Sequence, residues 1–117
     1  MFEHSLLIIK SWKNYKKYKK TRELEDLAQA GEKVWFAFNS LIEKKTGKKL
    51  KNYRELKKAI TDLYEKTGSE MLLRTFRKAY DLHVFFHGGY TEDVRDVENN
   101  YLEVVNSIKV LKNSLMN

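Results

Sequence analysis

The chain has 117 residues, which is the size of one domain with one buried core, so we expect a single domain over residues 1–117. Hydrophobic residues make up 42% of it, which argues against a disordered chain, and the absence of cysteine excludes disulfides and thiolate metal sites. A formal net charge of +7 favours polyanions, RNA above all, or an acidic protein as partners, and 18 lysines against five arginines predict phosphate contacts rather than base reading.

Two helices are predicted in the first part of the chain, near residues 3–19 and 22–45. The apolar run in the first is far too short to span a bilayer and lacks the flanks of a signal peptide, so we expect a cytoplasmic protein without membrane contact. Thr21 is the predicted start of the second helix, and Thr46 with Gly47 is its predicted end. Since no residue between the two helices forces a break, one bent helix is the alternative.

Three more helices are predicted near residues 53–66, 70–87 and 92–115. Each begins at a residue that caps helix N-termini well, and the first two end at glycine. The asparagine before the third helix, with a glutamate three residues on, resembles a capping box. The predicted caps are Asn52 with Glu55, Ser69 with Glu70, and Thr91 at the starts, and Gly68 and Gly88 at the ends.

Apolar residues repeat in steps of three and four along the second and fifth helices. This spacing is typical of near-parallel helices that pack at shallow angles. Gly31 would let a neighbouring helix approach closely. We therefore predict an all-α fold, an antiparallel up-and-down bundle of four to five helices. The two seams are Leu24, Leu27, Gly31, Val34, Phe38 and Leu41, and Val94, Val97, Tyr101, Val104, Ile108, Leu111 and Leu115.

The fourth helix carries two such stripes, roughly 80–100° apart around its axis. The first consists of Leu72, Phe76, Ala79, His83 and Phe86, and the second stripe of Leu73, Arg77, Tyr80, Val84 and His87. One apolar face is enough for a helix in a monomeric bundle. We therefore predict a homodimer through the helix 70–87, in which the second stripes of two copies meet about a two-fold axis. The alternative is that the first helix covers the second stripe within the chain.

Two segments, QAGEKVW at residues 29–35 and AYDLHVFFHGGY at residues 79–90, carry a resemblance to a known family. With the order of the helices, they resemble the HEPN domain, and within it the archaeal PaREP-type branch, over roughly residues 15–115. The resemblance implies a four- to five-helix bundle that often dimerises. It also implies a metal-independent endoribonuclease, frequently a toxin that is paired with a nucleotidyltransferase-type partner protein as its antitoxin.

The ribonuclease signature of the HEPN family is an arginine, a polar residue and then a histidine four to six positions beyond the arginine. Arg77, Lys78 and His83 match it, with lysine where asparagine, aspartate or histidine is usual. His87 matches the family histidine in a second register that has no suitably placed arginine. The resemblance thus implies that Arg77 and His83 are catalytic, with His87, Tyr80 and Lys78 as alternative or supporting residues.

These residue types suit RNA cleavage without a metal, because the 2′-hydroxyl is itself the nucleophile and needs only a base, an acid and a cation. His83 would exchange protons near neutral pH, and Arg77 would clamp the phosphate. On an ideal helix the two lie about 120° apart, so they cannot touch one another directly, and convergence requires a long arginine side chain or residues from the other subunit.

The competing interpretation makes His83 a hydrogen-bonded core residue and Arg77 a structural or solvent-facing charge. The chain would then be a non-catalytic helical homodimer, a scaffold for a partner protein such as a nucleotidyltransferase. His83 and His87 are spaced to bind a metal from one helix, but no third ligand stands out in the sequence. We therefore expect no metal and no cofactor.

Two basic segments remain. Between residues 10 and 22, lysines alternate with Trp12, Tyr15 and Tyr18, which would stack on bases or pack in the core, and packing is favoured. The other segment, residues 44–58, is either a solvated surface or an electrostatic track for RNA. Its predicted RNA contacts are Lys44, Lys45, Lys48, Lys49, Lys51 and Arg54.

Overall fold

The computed structural model describes residues 3–90 and 93–115, except for the side chain of Glu3. It has five helices, each within two residues of its predicted bounds, and no strand in the described ranges, which confirms the all-α fold. None of these helices is long and apolar enough to cross a membrane. The helices are α1 Glu3–Thr21, α2 Leu24–Thr46, α3 Tyr53–Thr67, α4 Glu70–His87 and α5 Val94–Ser114.

The chain breaks sharply between α1 and α2, so the alternative of one bent helix is wrong. Arg22 has a φ of 62°, a left-handed conformation that no α-helix continues through. Thr21 does not cap α2 as predicted; its hydroxyl accepts the N–H of Glu23 at 3.1 Å, and Glu23 is the N-cap without a side-chain bond. The two helices therefore form an antiparallel hairpin, in which Lys33 donates to Asn14 at 2.7 Å.

Local capping chemistry sets the ends of α2 and α3 much as predicted. Asn52 Oδ1 accepts the N–H of Glu55 at 2.9 Å, while the Glu55 carboxylate accepts the N–H of Lys51 at 2.8 Å. In a capping box the glutamate accepts the N–H of the cap residue itself, whereas here Glu55 accepts that of Lys51, the residue before the cap. Gly47 and Gly68, with φ of 71° and 67°, end the two helices in the left-handed conformation that glycine adopts without strain.

The starts of α4 and α5 differ in how well they were predicted. Ser69 caps α4, and its hydroxyl accepts the N–H of Leu72 at 3.2 Å. The cap of α5 is Asp93, whose carboxylate accepts the N–H of Arg95 at 2.8 Å. Thr91, the predicted cap, lies outside the described residues.

The helices α1, α2, α4 and α5 form the up-and-down bundle. The remaining helix, α3, packs on the outside of α2 and α4. The helices α2 and α4 are antiparallel. Gly31 faces Leu82, and further along α2 the ring centroid of Phe38 lies 6.2 Å from that of Phe76. A Cβ atom added at Gly31 would lie 3.2 Å from the Cβ of Leu82. The predicted close approach at Gly31 is therefore present, and α4 is the helix that makes it.

The predicted seams of α2 and α5 lie in the core, and only their first residues, Leu24 and Val94, are partly buried. On α4 the prediction was partly wrong. Leu82 and Phe85 are each 1% exposed and belong to the core, whereas His83 and Phe86 are only partly buried. Because Leu82 packs on Gly31, α4 is rotated so that His83 lies at the flank of the core.

The second stripe of α4 is open to solvent. Arg77, Tyr80, Val84 and His87 are all exposed, and Leu73 is partly buried. The alternative that α1 covers this stripe is therefore wrong. The stripe remains available for contact with another molecule.

The aromatic residues of α1 pack mainly in the core, as favoured from their spacing. Tyr15 and Tyr18 are 6% and 3% exposed, while Trp12 is 41% exposed. The Tyr18 hydroxyl donates to Glu98 on α5 at 2.9 Å, and the Tyr15 hydroxyl does so at 3.2 Å. These two bonds join α1 to α5.

Candidate functional site

A buried carboxylate of α2 binds two imidazoles of α4. The Glu32 side chain is only 9% exposed, and its oxygens lie 2.9 Å from Nδ1 of His83 and 3.3 Å from Nε2 of His87. Because the two histidines are four positions apart, they lie one turn apart on the same side of α4. Glu32, His83 and His87 are called the Glu–His cluster below.

His83 is held in one orientation from two directions. A carboxylate only accepts hydrogen bonds, so the Nδ1–H of His83 donates to Glu32. The ring also stacks on Trp35, with centroids 5.0 Å apart and an interplanar angle of 26°. Its other nitrogen, Nε2, has no hydrogen-bond partner within the described residues. A neutral imidazole held this way presents Nε2 as a proton acceptor.

His87 is the more accessible imidazole, with a side chain that is 58% exposed. It is the last residue of α4. Its ring contacts that of His83 edge-on at 4.6 Å and that of Phe86 at 4.9 Å. The two candidates for the family histidine therefore share one carboxylate.

A cleft of about 560 Å³ opens beside His83, and we name it the α2–α4 cleft. Its walls come from α2, from the segment before α3 and the first residues of α3, and from α4, with one residue of α1, and much of its lining is aromatic. Three rings at the cleft are substantially exposed and could stack on planar ligands. The exposed rings are Phe36, Tyr53 and Tyr80, and Trp35 and Lys51 also line the cleft.

The structure brings some predicted residues together and leaves others apart. Tyr80 lies 5.9 Å from the His83 ring and lines the same cleft. Arg77 is exposed, lies outside the cleft lining and forms no hydrogen bond or ion pair within the described residues. Lys78 donates to Glu103 on α5 at 3.1 Å, so its ammonium is directed towards α5.

The predicted lysine track divides into two parts. Lys48, Lys49, Lys51 and Arg54 are exposed near the cleft or at the turns beside it, and Lys51 lines the cleft itself. Lys44 and Lys45 instead lie towards the end of α5. The Lys45 ammonium donates to the carbonyl oxygen of Lys112 at 2.9 Å. Burial, followed by the charges of Lys44 and Lys112, lowers the pKa of Lys45.

Glu32 is the functional candidate that the sequence did not reveal. It lies 51 positions before His83, and no local pattern links the two. One signal was present: Glu32 interrupts the apolar side of α2, between Gly31 and Val34, both of which are buried. A charge at such a position requires a partner on the facing helix. Glu32 also supplies the third metal ligand that did not stand out in the sequence.

The fold and this cluster define an all-α bundle protein with a carboxylate–imidazole site between two of its helices. Residues 7–105 match the family model of the archaeal PaREP1/PaREP8 family, and the chain belongs to that family. The match confirms the predicted PaREP-type branch and is consistent with the HEPN resemblance. It spans all three members of the Glu–His cluster. No curated protein and no solved structure matches the chain significantly.

Proposed function

We propose that this protein binds RNA at the α2–α4 cleft and cleaves it without a metal, as a homodimer with His83 as the proton-transfer residue. The observation that carries the proposal is the 2.9 Å bond between His83 and the buried Glu32 at the edge of an aromatic cleft. A carboxylate on Nδ1 orients the ring and stabilises the imidazolium that forms when Nε2 takes a proton. This is the arrangement that a general base requires.

The reaction needs no other reagent than RNA. His83 removes the proton from a 2′-hydroxyl, the 2′-oxygen bonds to the adjacent phosphorus, and the bond from phosphorus to the 5′-oxygen breaks. An imidazolium returns a proton to the leaving 5′-oxygen, so the products are a 2′,3′-cyclic phosphate and a 5′-hydroxyl. The exposed rings of Tyr53 and Tyr80 would stack on bases, and Lys51 would contact phosphate.

The homodimer supplies the cation that one chain does not. Arg77 stands on the exposed second stripe, about 120° around the helix from His83 on ideal geometry. Pairing of two second stripes about a two-fold axis would bring Arg77 of one copy towards the cleft of the other. The exposure of Tyr80 and Val84 on this stripe supports such a contact.

The test is cleavage of a structured RNA in the presence of EDTA. We expect the wild type to cleave and His83→Ala to lose about 100-fold or more in rate, because a positioned acid or base contributes that much. Glu32→Gln should lose a similar factor through misorientation of the ring. Arg74→Ala, one turn from Arg77 on the same helix, is the matched control for Arg77→Ala and should retain activity. Cleavage that survives both His83→Ala and Arg77→Ala would overturn the assignment.

Complementation tests whether two subunits share the site. In a mixture of Arg77→Ala and His83→Ala chains, one site of each mixed dimer has both residues, so about a quarter of the wild-type activity should return. If both residues acted within one chain, mixing would restore nothing. The same mixture therefore reports on the dimer and on the role of Arg77.

A second candidate is the non-catalytic homodimer that serves as a scaffold for a partner protein such as a nucleotidyltransferase. Two observations favour it: Arg77 stands apart from His83, and Lys78, at the polar position of the signature, is bonded to Glu103. Wild-type protein that forms a dimer by light scattering but never cleaves RNA would support this candidate over the first.

A further inference from the structure

We propose that the Glu–His cluster is a binding site for one divalent transition-metal ion, of which Zn²⁺ suits the ligands best. One ligand atom from each of Glu32, His83 and His87 lies within 4.8 Å of the other two. Binding of the ion does not depend on whether the protein cleaves RNA.

The distances are close to those of a loaded site. Oε2 of Glu32 lies 3.2 Å from Nδ1 of His83 and 3.3 Å from Nε2 of His87, and ligands around a tetrahedral zinc are separated by about 3.4 Å. The distance between the ligating nitrogens of the two imidazoles, which is within 4.8 Å, would have to shorten when the ion binds. His87 can provide this, since it is 58% exposed at the end of its helix.

Electrostatics favours a cation at this position. A carboxylate that is 9% exposed is costly unless a positive charge or several hydrogen bonds compensate it. Within the described residues no lysine or arginine forms an ion pair with Glu32, and Lys33 beside it bonds to Asn14 instead. Hydrogen bonds from His83 and His87 compensate Glu32 when no ion is bound, and a divalent ion between them would supply a positive charge in their place.

The ligand set indicates the class of ion. Two imidazoles and one carboxylate suit zinc and its first-row neighbours rather than magnesium or calcium, which prefer oxygen ligands. Three protein ligands leave a fourth position open, and His87 places that position towards solvent. The stack of Trp35 on His83 and the edge of Phe86 on His87 orient the rings, as neighbouring groups do in established metal sites.

Bound metal would also alter the proposed ribonuclease, and this consequence alone rests on the proposed function. An ion coordinated by Glu32 and by Nδ1 of His83 removes the hydrogen bond that orients the base. We therefore expect the ion-free protein to be the form that cleaves RNA. Zinc would act as an inhibitor of that form.

The direct test is metal binding by the full chain without a histidine tag, after removal of metals with EDTA and dialysis. Zn²⁺ is titrated in competition with a chromophoric chelator, and Co²⁺ is added separately as a spectroscopic substitute. We expect one ion per chain, and Co²⁺ should give the visible absorption bands of a tetrahedral site with nitrogen and oxygen ligands. Absence of binding at micromolar Zn²⁺ would overturn the proposal.

Variants decide whether the ion binds at the Glu–His cluster. His87→Ala, which changes an exposed side chain, and Glu32→Gln, which keeps the shape but removes the charge, should each weaken Zn²⁺ binding by about tenfold or more. Glu25→Gln is the matched control, because it removes a carboxylate of α2 that bonds to Tyr90 and not to a histidine. Circular dichroism checks that each variant is folded. Unchanged binding in His87→Ala and Glu32→Gln would place the ion elsewhere and refute the site.

Discussion

Two glutamates of this bundle accept hydrogen bonds from paired rings on a neighbouring helix, yet their surroundings differ in kind. Glu98 on α5 binds the hydroxyls of Tyr15 and Tyr18, whereas Glu32 on α2 binds the imidazoles of His83 and His87. Both carboxylates are shielded, with side chains 17% and 9% exposed. Burial therefore does not distinguish the two carboxylates; the chemistry of their partners does.

The partners of Glu98 are donors that keep their protons. Burial raises the pKa of Tyr18, and its hydrogen bond to Glu98 raises it further. Burial by itself would raise the pKa of Glu98, but bonds from Tyr18, Lys19 and Tyr15 outweigh it and hold that pKa below its ordinary value. Glu98 in its ionised form thus joins α1 to α5. Imidazoles, by contrast, exchange protons and bind metals near neutral pH.

The largest difference between the two carboxylates is expected in the free energy of unfolding when Glu98 is replaced. Glu98→Ala leaves two tyrosine hydroxyls without their acceptor, so we expect the free energy of unfolding to fall by about 1–3 kcal/mol in urea denaturation. Glu32→Ala should cost less, within about 1 kcal/mol, because water can reach both imidazoles.

Glu103→Ala is the control for that measurement, since Glu103 is an exposed carboxylate on the same helix that pairs with Lys78. Exposed pairs contribute little, so we expect a loss below about 0.5 kcal/mol. An equal loss at Glu98 and Glu103 would show that the tyrosine contacts do not matter.

A smaller effect appears in acid. Since the pKa of Glu98 is lower in the folded protein than its ordinary value of 4.5, its contribution to stability is complete above that value and is lost as the pH falls through the folded pKa. We therefore expect the wild type to lose more stability than Glu98→Gln between about pH 5.5 and pH 3. Parallel pH profiles of unfolding for the two proteins would contradict this.

The smallest effect concerns His4, an imidazole of α1 that has no carboxylate partner among the side chains that the structure describes. It is 3% exposed, and its Nε2 has no hydrogen-bond partner within residues 3–90 and 93–115. Burial, and then the charges of Lys112, Lys44 and Lys45 on the facing helices, lowers its pKa from 6.5. The folded protein therefore holds His4 neutral.

The sign of the effect follows from linkage. The unfolded chain binds the His4 proton more strongly, so this contribution to stability is complete above pH 6.5 and is lost below it. We expect thermal unfolding of His4→Phe to depend less on pH between about 7.5 and 5.5 than that of the wild type. The histidines of the Glu–His cluster are present in both proteins and cancel in the difference. A larger dependence in the variant would contradict the assignment.

The amino-acid sequence by itself determined the helices, most of their caps and the seams of α2 and α5. These features depend on contacts within about four residues along the chain, such as the bond from Glu55 to Asn52 and the left-handed glycines that end α2 and α3. The residues that carry the family resemblance could also be identified from the sequence, and the family match confirms that resemblance.

Only the tertiary structure decided how α4 is rotated and which residue its histidines meet. The contact of Leu82 with Gly31 sets the register between α2 and α4, and that register places Glu32 opposite His83 and His87. Spacing along α4 predicts that two imidazoles share a side, but it contains no information about a residue 51 positions away. The partner on which the proposed function of these histidines depends was therefore fixed by the packing of one helix on another.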